Sequence, residues 1–223
     1  MSDNYLDWKR VLSEIQEKQV QPLLVNQHIF LQFAACTEPY VGSTHAAALS
    51  DWIGECSVAF AATAIRRTLD RRRDTISLVR FLLDLRGNYD KLSRERMRAE
   101  FRAALPAIAV ECGIADQKGD EMFNYGIRQT SSDRLNAAIV GDDIKRLESK
   151  AASVTQIANA WITHTSKSPR VSSLKIDDLH DAVDTIKDVY SRYYALVCCK
   201  KPVWAPLDAY ECTPYLHCIW PAR

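Results

Sequence analysis

The sequence predicts an all-α protein, a helical bundle that ends in an antiparallel helix pair and an irregular tail rich in proline and aromatic residues. Three observations carry this. Glycine is scarce, with seven in 223 residues. Extended alternation of apolar and polar residues is nearly missing. Apolar residues recur instead at spacings of three and four, the period of a helix with one buried face. Hydrophobic residues make up 47% and charged residues 26% of the chain, enough for a real core.

The first helix is expected over about 3–20, with Leu6, Val11, Ile15 and Leu12 inward, and Pro22 ends or kinks it. A second apolar stretch runs from Leu23 to Cys36, and residues 38–43 form a loop. Ser43 or Thr44 can cap a long helix whose stripe is Leu49, Ile53, Cys56, Phe60, Ala64 and Leu69. The run 71–75 interrupts the pattern. Asp74 or Thr75 then caps a short helix bearing Leu78, Phe81, Leu82 and Leu85, with Gly87 as its C′ stop.

Ser93 opens a basic helix that ends at Pro106. Residues 106–132, with Gly113, Gly119 and Gly126, read as irregular. Asp142 or Asp143 opens a strong helix with the stripe Ile144, Leu147, Ala151, Val154, Ala158 and Trp161, ending near Thr165. A turn over 166–173 leads to a helix over about 177–199, faced by Leu179, Val183, Ile186, Val189 or Tyr190, Tyr193 and Val197. These two long helices should pack antiparallel. Residues 1–200 are expected to form one helical domain. The tail, 201–223, holds four prolines, two tryptophans and two tyrosines and is expected to lie on that domain.

Net charge is +1, so overall charge predicts no partner. Its distribution says more. Residues 1–60 carry three basic and seven acidic side chains, whereas 66–102 carry twelve basic and six acidic. A basic field of this kind attracts phosphates; it equally suits a solvated helical surface. The polar start of the chain does not read as a leader, no apolar run is long enough to span a bilayer, and the seven cysteines are scattered. Together these predict a cytoplasmic protein without disulfides. Walker, dinucleotide, zinc-protease and nucleophile-elbow signatures do not occur. Cys198, Cys199, Cys212, His217 and Cys218 do not follow zinc-ligand spacings, so no metal and no cofactor is expected.

His164 lies three residues after Trp161 and seven after Ile157, on or beside the apolar stripe at the end of the strong helix. An imidazole there can serve as a proton-transfer group, or as a core histidine favoured by the negative end of the helix dipole. His180, next to Leu179, is expected on the surface.

Two segments resemble a known family. The phrase Ile157-Ala-Asn-Ala-Trp-Ile-Thr-His164, followed by Leu174 to Val197, is similar to the C-terminal half of HEPN proteins (higher eukaryote and prokaryote nucleotide-binding). Upstream, Ile65-Arg-Arg-Thr-Leu-Asp70-Arg-Arg-Arg-Asp74-Thr-Ile-Ser-Leu78 resembles a block of the abortive-infection U-type branch. The resemblance implies an all-α fold, often a homodimer, in a group rich in ribonuclease toxins and phage-defence proteins. It implies RNA, a protein partner or an antitoxin as partners, with no membrane. In active members an arginine four to six residues before the histidine binds the scissile phosphate. Here 151–163 contain no arginine, and Asn159 stands five residues before His164. An amide cannot make the charged bidentate contact, a loss worth about 3–4 kcal/mol of transition-state stabilisation unless another group supplies it.

The candidate catalytic residues are therefore His164 and Asn159. The candidate phosphate-binding residues are Arg66, Arg67, Arg71, Arg72, Arg73 and Arg170. The arginine clusters can alternatively be spent on ion pairs with Asp70, Asp74 and other acids. Three functions stay open: a metal-independent ribonuclease, an inactive member that binds RNA or protein, and an unrelated helical interaction or scaffold protein.

Overall fold

The structure is a computed structural model that describes residues 3–37, 44–129, 132–163, 175–213 and 216; the side chains of 3–6, 44–47, 160–163, 208 and 209 fall outside that description. Among the described residues there is no strand, only an isolated antiparallel bridge between Ser93 and Arg134, so the chain is all-α as expected. The helices are α1 (Asp3–Ile15), α2 (Gln21–Thr37), α3 (Thr44–Thr68), α4 (Leu78–Gly87), α5 (Arg94–Ala104), α6 (Ala107–Glu111), α7 (Ile114–Ile127), α8 (Ala137–Lys150), α9 (Ala152–Thr163) and α10 (Ile176–Cys198). The chain divides into two compact units, each assembled from separate stretches.

The first unit comprises Met1–Gln16, Leu69–Ser149 and Asp184–Val203. Trp8, Leu12 and Ile15 of α1 are buried, at spacings of four and three. Val11, expected inside, is only half-buried, because the 8–12–15 face takes the core. The last turn of α1 runs into a π-helical turn, Gln16–Val20. Pro22 follows it; its missing N–H and the crowding of the carbonyl four residues back explain a widened turn here rather than a stop.

Two predicted helix signals are corrected. Helix α4 is capped by Ser77, whose Oγ accepts from the Arg80 backbone N–H at 3.0 Å, not by Asp74 or Thr75. Gly87 is helical and Asn88 is the C-cap, because the chain tightens into a 3-10 turn (Tyr89–Lys91) instead of turning left-handed. The Ser93 cap of α5 is as expected, accepting from the Arg96 N–H at 3.2 Å.

The span 106–132 is also corrected: it holds α6 and α7. Of its three glycines, only Gly113, at φ +73°, supplies a left-handed link. Gly119 and Gly126 mark close packing instead. A Cβ on Gly119 would come within 2.9 Å of the Arg98 Cα, and one on Gly126 would overlap the Leu196 side chain. Helices α5 and α7 run antiparallel, since Arg98 pairs with Asp120 (2.7 Å) and Arg102 with Asp116 (2.6 Å).

Helix α8 opens at Asn136, whose Oδ1 accepts from the Ala138 N–H at 2.7 Å, rather than at Asp142 or Asp143. Asp143 is buried against α10. The Arg192 guanidinium donates to both its carboxylate oxygens (3.0 and 2.5 Å), and the Tyr193 hydroxyl donates to Oδ2 at 2.8 Å. One turn on, Arg146 pairs with Asp188 at 2.8 Å. Pairing that descends α10 as it climbs α8 makes the two antiparallel. Ile144, Leu147, Ala151, Val154 and Ala158 of the predicted stripe are buried, the Trp161 side chain lies outside the described residues, and the helix breaks at Ala151 into α8 and α9.

The second unit comprises Glu17–Thr68, Lys150–Val183 and Trp204–Arg223. Helix α3 packs against α2 and α9. Asn26 and Ser57 join α2 to α3, the Asn26 amide donating to the Ser57 carbonyl (3.2 Å) and the Ser57 hydroxyl to the Asn26 side-chain oxygen (3.1 Å). The predicted stripe of α3 is overturned. Ala61, Ala62, Ile65 and Thr68 are buried, while Leu49, Cys56 and Phe60 are exposed and Ile53 half-buried. The helix is apolar on both sides, and its small-residue side allows the closer approach that packing favours.

Two glutamines of α2 tie down the tail: Gln21 accepts from the Ala205 N–H at 3.1 Å, Gln32 from the Cys212 N–H at 2.7 Å. His180 is half-buried rather than superficial. Its ring lies edge-on to Phe30 at 6.4 Å, and its buried Nε2 has no hydrogen-bond partner among the described residues. Phe30 of α2 covers the position that helical spacing alone left at the surface.

Replacing Asp143 with Ala strands the Arg192 charge, and urea unfolding should show a loss of about 3–5 kcal/mol. Gly126→Ala forces Leu196 aside and should lower the urea midpoint by the equivalent of about 1–3 kcal/mol. The third expectation concerns acid. Hydrogen bonding from Arg102 holds the Asp116 carboxyl below the usual carboxylate range, and Arg98 does the same for Asp120. Both are depressed on folding, so their stabilisation is complete above the unfolded value of about 3.9 and disappears as pH falls below it. Urea midpoints measured from pH 6 downward (about neutral to acid) should fall less steeply in Asp116→Asn/Asp120→Asn than in the wild type.

Candidate phosphate-binding cleft

In the first unit an open cleft of about 340 Å³ is lined by Asp7, Trp8, Arg10 and Val11 of α1, by Arg73, Thr75, Ile76 and Ser77 of the loop before α4, and by Arg80, Phe81 and Asp84 of α4. The loop is fixed by its own polar groups. The Asp70 carboxylate accepts from the Arg72 backbone N–H at 2.9 Å, and Thr75 donates its hydroxyl to the Arg72 carbonyl at 2.9 Å. The Ser77 hydroxyl donates to the Asp70 carbonyl. Side-chain-to-backbone bonds of this sort hold short turns in one shape. Arg73 is thereby carried to the cleft by a pinned loop, and Arg80 by the first turn of a capped helix.

The floor is equally ordered. The Trp8 indole N–H donates to Asp84 Oδ2 at 2.7 Å, and the Trp8 ring meets Phe81 edge-on, with centroids 6.5 Å apart. Arg10 pairs with Asp7 at 2.7 Å and reaches Glu14 at 3.8 Å. Three guanidiniums thus meet two carboxylates, each of which already has a donor. Among the described residues the Arg73 and Arg80 guanidiniums make no hydrogen bond or ion pair. Two uncommitted guanidiniums in one cleft suit an anion with several acceptor oxygens, such as a phosphate, which arginine grips bidentately.

The other sequence candidates separate. Arg71 pairs with Glu148, and Arg72 pairs with Asp70 at 2.9 Å, so both are spent within the unit. Arg66 and Arg67 are exposed on the last turn of α3, in the second unit. Asn159 is exposed on α9. His164 and Arg170 lie outside the described residues. Arg10 and Arg80 were missed as site residues. Arg80 stood in the basic stretch 66–102, but nothing in its spacing set it apart from neighbours that are paired.

No group of three or more metal-ligating side chains occurs among the described residues. Burial pushes the Cys198 and Cys212 thiols up, which makes them poor nucleophiles. Among the described residues no helix is long and apolar enough to cross a membrane. No protein-family model, no curated protein and no solved structure matches the chain.

Proposed function

We propose that the chain is a HEPN-type phage-defence protein of the cytoplasm that binds RNA, and that it holds a backbone phosphate between Arg73 and Arg80. The observation that supports this is the pair of uncommitted guanidiniums on the pinned loop and the first turn of α4. Asp7 is paired with Arg10, and the neutral Trp8 N–H leaves the Asp84 charge in place, so three guanidiniums against two carboxylates leave the cleft with a net charge of +1. Asp7 and Asp84 retain acceptor capacity for ribose hydroxyls or base amino groups, which fits a nucleotide better than a bare anion. Recognition through phosphate is independent of sequence and dependent on salt.

RNA affinity should therefore fall steeply with salt. Arg73→Glu and Arg80→Glu should each weaken binding of a single-stranded RNA about tenfold and lower the slope of log affinity against log salt by roughly 1. Arg71→Glu and Arg72→Glu should do less, since those charges are already paired. Equal affinity and slope in all four variants would exclude the cleft as the phosphate site. Cleavage of the same RNA by the wild type but not by His164→Ala would make the protein a ribonuclease; binding without cleavage would make it an RNA-binding member.

A further inference from the structure

The cleft of the first unit carries a fixed acceptor as well as cations. Asp84 is half-buried in its floor. Asp84 Oδ2 accepts the indole N–H of Trp8 at 2.7 Å, and Trp8 is itself only 3% exposed. A carboxylate has roughly four acceptor sites, so most of this one's capacity is unspent. Asp7, the other carboxylate of the cleft, is exposed and already holds the Arg10 guanidinium. The Thr75 and Ser77 hydroxyls are committed to backbone groups of their own segment.

Arg80 and Asp84 stand one turn apart on α4, about 6 Å along the axis. Opposite charges at this spacing commonly pair. These two form no ion pair among the described residues. Helical side chains lean toward the N-terminus, which carries the long Arg80 side chain away from Asp84. The Trp8 bond holds the carboxylate where it is. A cation and an acceptor are thus kept apart in one cleft. A nucleotide needs that arrangement, because its phosphate and the hydrogen-bonding edge of its base lie at opposite ends of the molecule.

We infer that the cleft selects guanine, with Asp84 accepting from the N1–H and the N2 amino group of the nucleotide whose phosphate lies between Arg73 and Arg80. This rests on the phosphate reading above and adds the base to it. Guanine is the one RNA base whose Watson–Crick edge offers two donors side by side, and a carboxylate takes two parallel hydrogen bonds. Uracil offers one N–H between two carbonyls, which repel the carboxylate. Cytosine and adenine each offer one amino group beside an acceptor nitrogen. Such edges are open to proteins in single-stranded RNA. The buried indole behind Asp84 fixes its orientation before the base arrives, which favours a directional contact. Phosphate contacts position a strand and carry no sequence information; Asp84 supplies it.

Competition binding by the full chain at fixed salt tests this with short single-stranded RNAs. One is an oligoadenylate, one has a central guanosine, and one has inosine there, which keeps N1–H and lacks the amino group. The wild type should bind the guanosine strand about ten- to a hundredfold tighter than the oligoadenylate, with inosine between them. Asp84→Asn keeps an oxygen for the Trp8 N–H but offers the base an amide N–H2. It should bind the guanosine strand and the oligoadenylate alike. Its affinity for the oligoadenylate should rise, because the cleft loses a negative charge, and a damaged fold would not show that gain. Asp7→Asn removes the same charge elsewhere in the cleft, and should tighten both strands and keep the preference. Arg73→Glu should weaken both and keep it too. A wild type that binds all the strands equally, but still loses affinity in Arg73→Glu, would overturn guanine selection and leave the phosphate site standing. A preference that survives Asp84→Asn, or one that Asp7→Asn abolishes as fully, would also overturn it. A wild type that binds none of these strands would overturn both readings.

Discussion

The first unit depends on one buried charge pair. Arg192 is 2% exposed and Asp143 7%, so neither ion could be tolerated there alone. The pair is almost completely satisfied. Asp143 takes two guanidinium donors and the Tyr193 hydroxyl, and Arg192 also donates to the Gly126 carbonyl at 3.3 Å. Burial and the neighbouring carboxylate push the Tyr193 phenol up, so it remains a donor at any physiological pH. A network of this kind ties α7, α8 and α10 to one register. A slip by one residue would leave both charges without partners, at several kcal/mol per ion, a penalty comparable with the net stability of many domains.

The neighbouring features follow from that register. The Gly126 carbonyl is within reach of Arg192, and Gly126 also abuts Leu196, one turn further along α10. Any side chain at 126 would prop the helices apart at the point where the charge pair needs them close. Asp188 lies one turn before Arg192. Burial alone would push its carboxyl up, but hydrogen bonds from Arg128 and Arg146 outweigh this and hold it below the usual range. Arg128 itself reaches Asp188 from a left-handed position at the end of α7, φ 55°. The same aspartate thereby fixes how α7 ends and how α8 faces α10.

Much of this was legible in the sequence, and the failures are instructive. Much of the buried face of α8, α9 and α10 could be read because large apolar residues recur there at spacings of three and four, whereas the buried charges Asp143 and Arg192 are not marked by spacing. Helix α3 could not be read that way. It is apolar around most of its surface, and the larger residues, which a pattern search weights most, are those left outside. The glycines of α7 misled for a related reason. Glycine in sequence signals either freedom or proximity, and only the partner's backbone, here Arg98 or Leu196, shows which. Asp143 read as a helix start because an acid near an apolar run usually is one; its partner lies 49 residues away.

The basic stretch 66–102 shows how an apparent electrostatic signal is divided once the chain folds. Arg94, Arg98 and Arg102 are committed to acids of α7 or the loop after it, Arg71 to Glu148 and Arg72 to Asp70. Lys91 lies over the Trp8 ring at 5.8 Å. A net charge summed over sequence therefore overstates the field that a partner meets, because paired charges largely cancel beyond a Debye length. Four arginines that make no ion pair or hydrogen bond through their guanidiniums among the described residues differ in their surroundings. Arg73 and Arg80 border a polar cleft beside carboxylates that already have donors, a setting for an anion that brings several oxygens. Arg66 and Arg67 lie in the last turn of α3, exposed and on the same helix as Glu55, with which they make no ion pair among the described residues. Residue type is the same in both cases. What a guanidinium is free to bind depends on the chemistry within one side-chain length of it, and that is settled by the fold rather than by the composition of the segment.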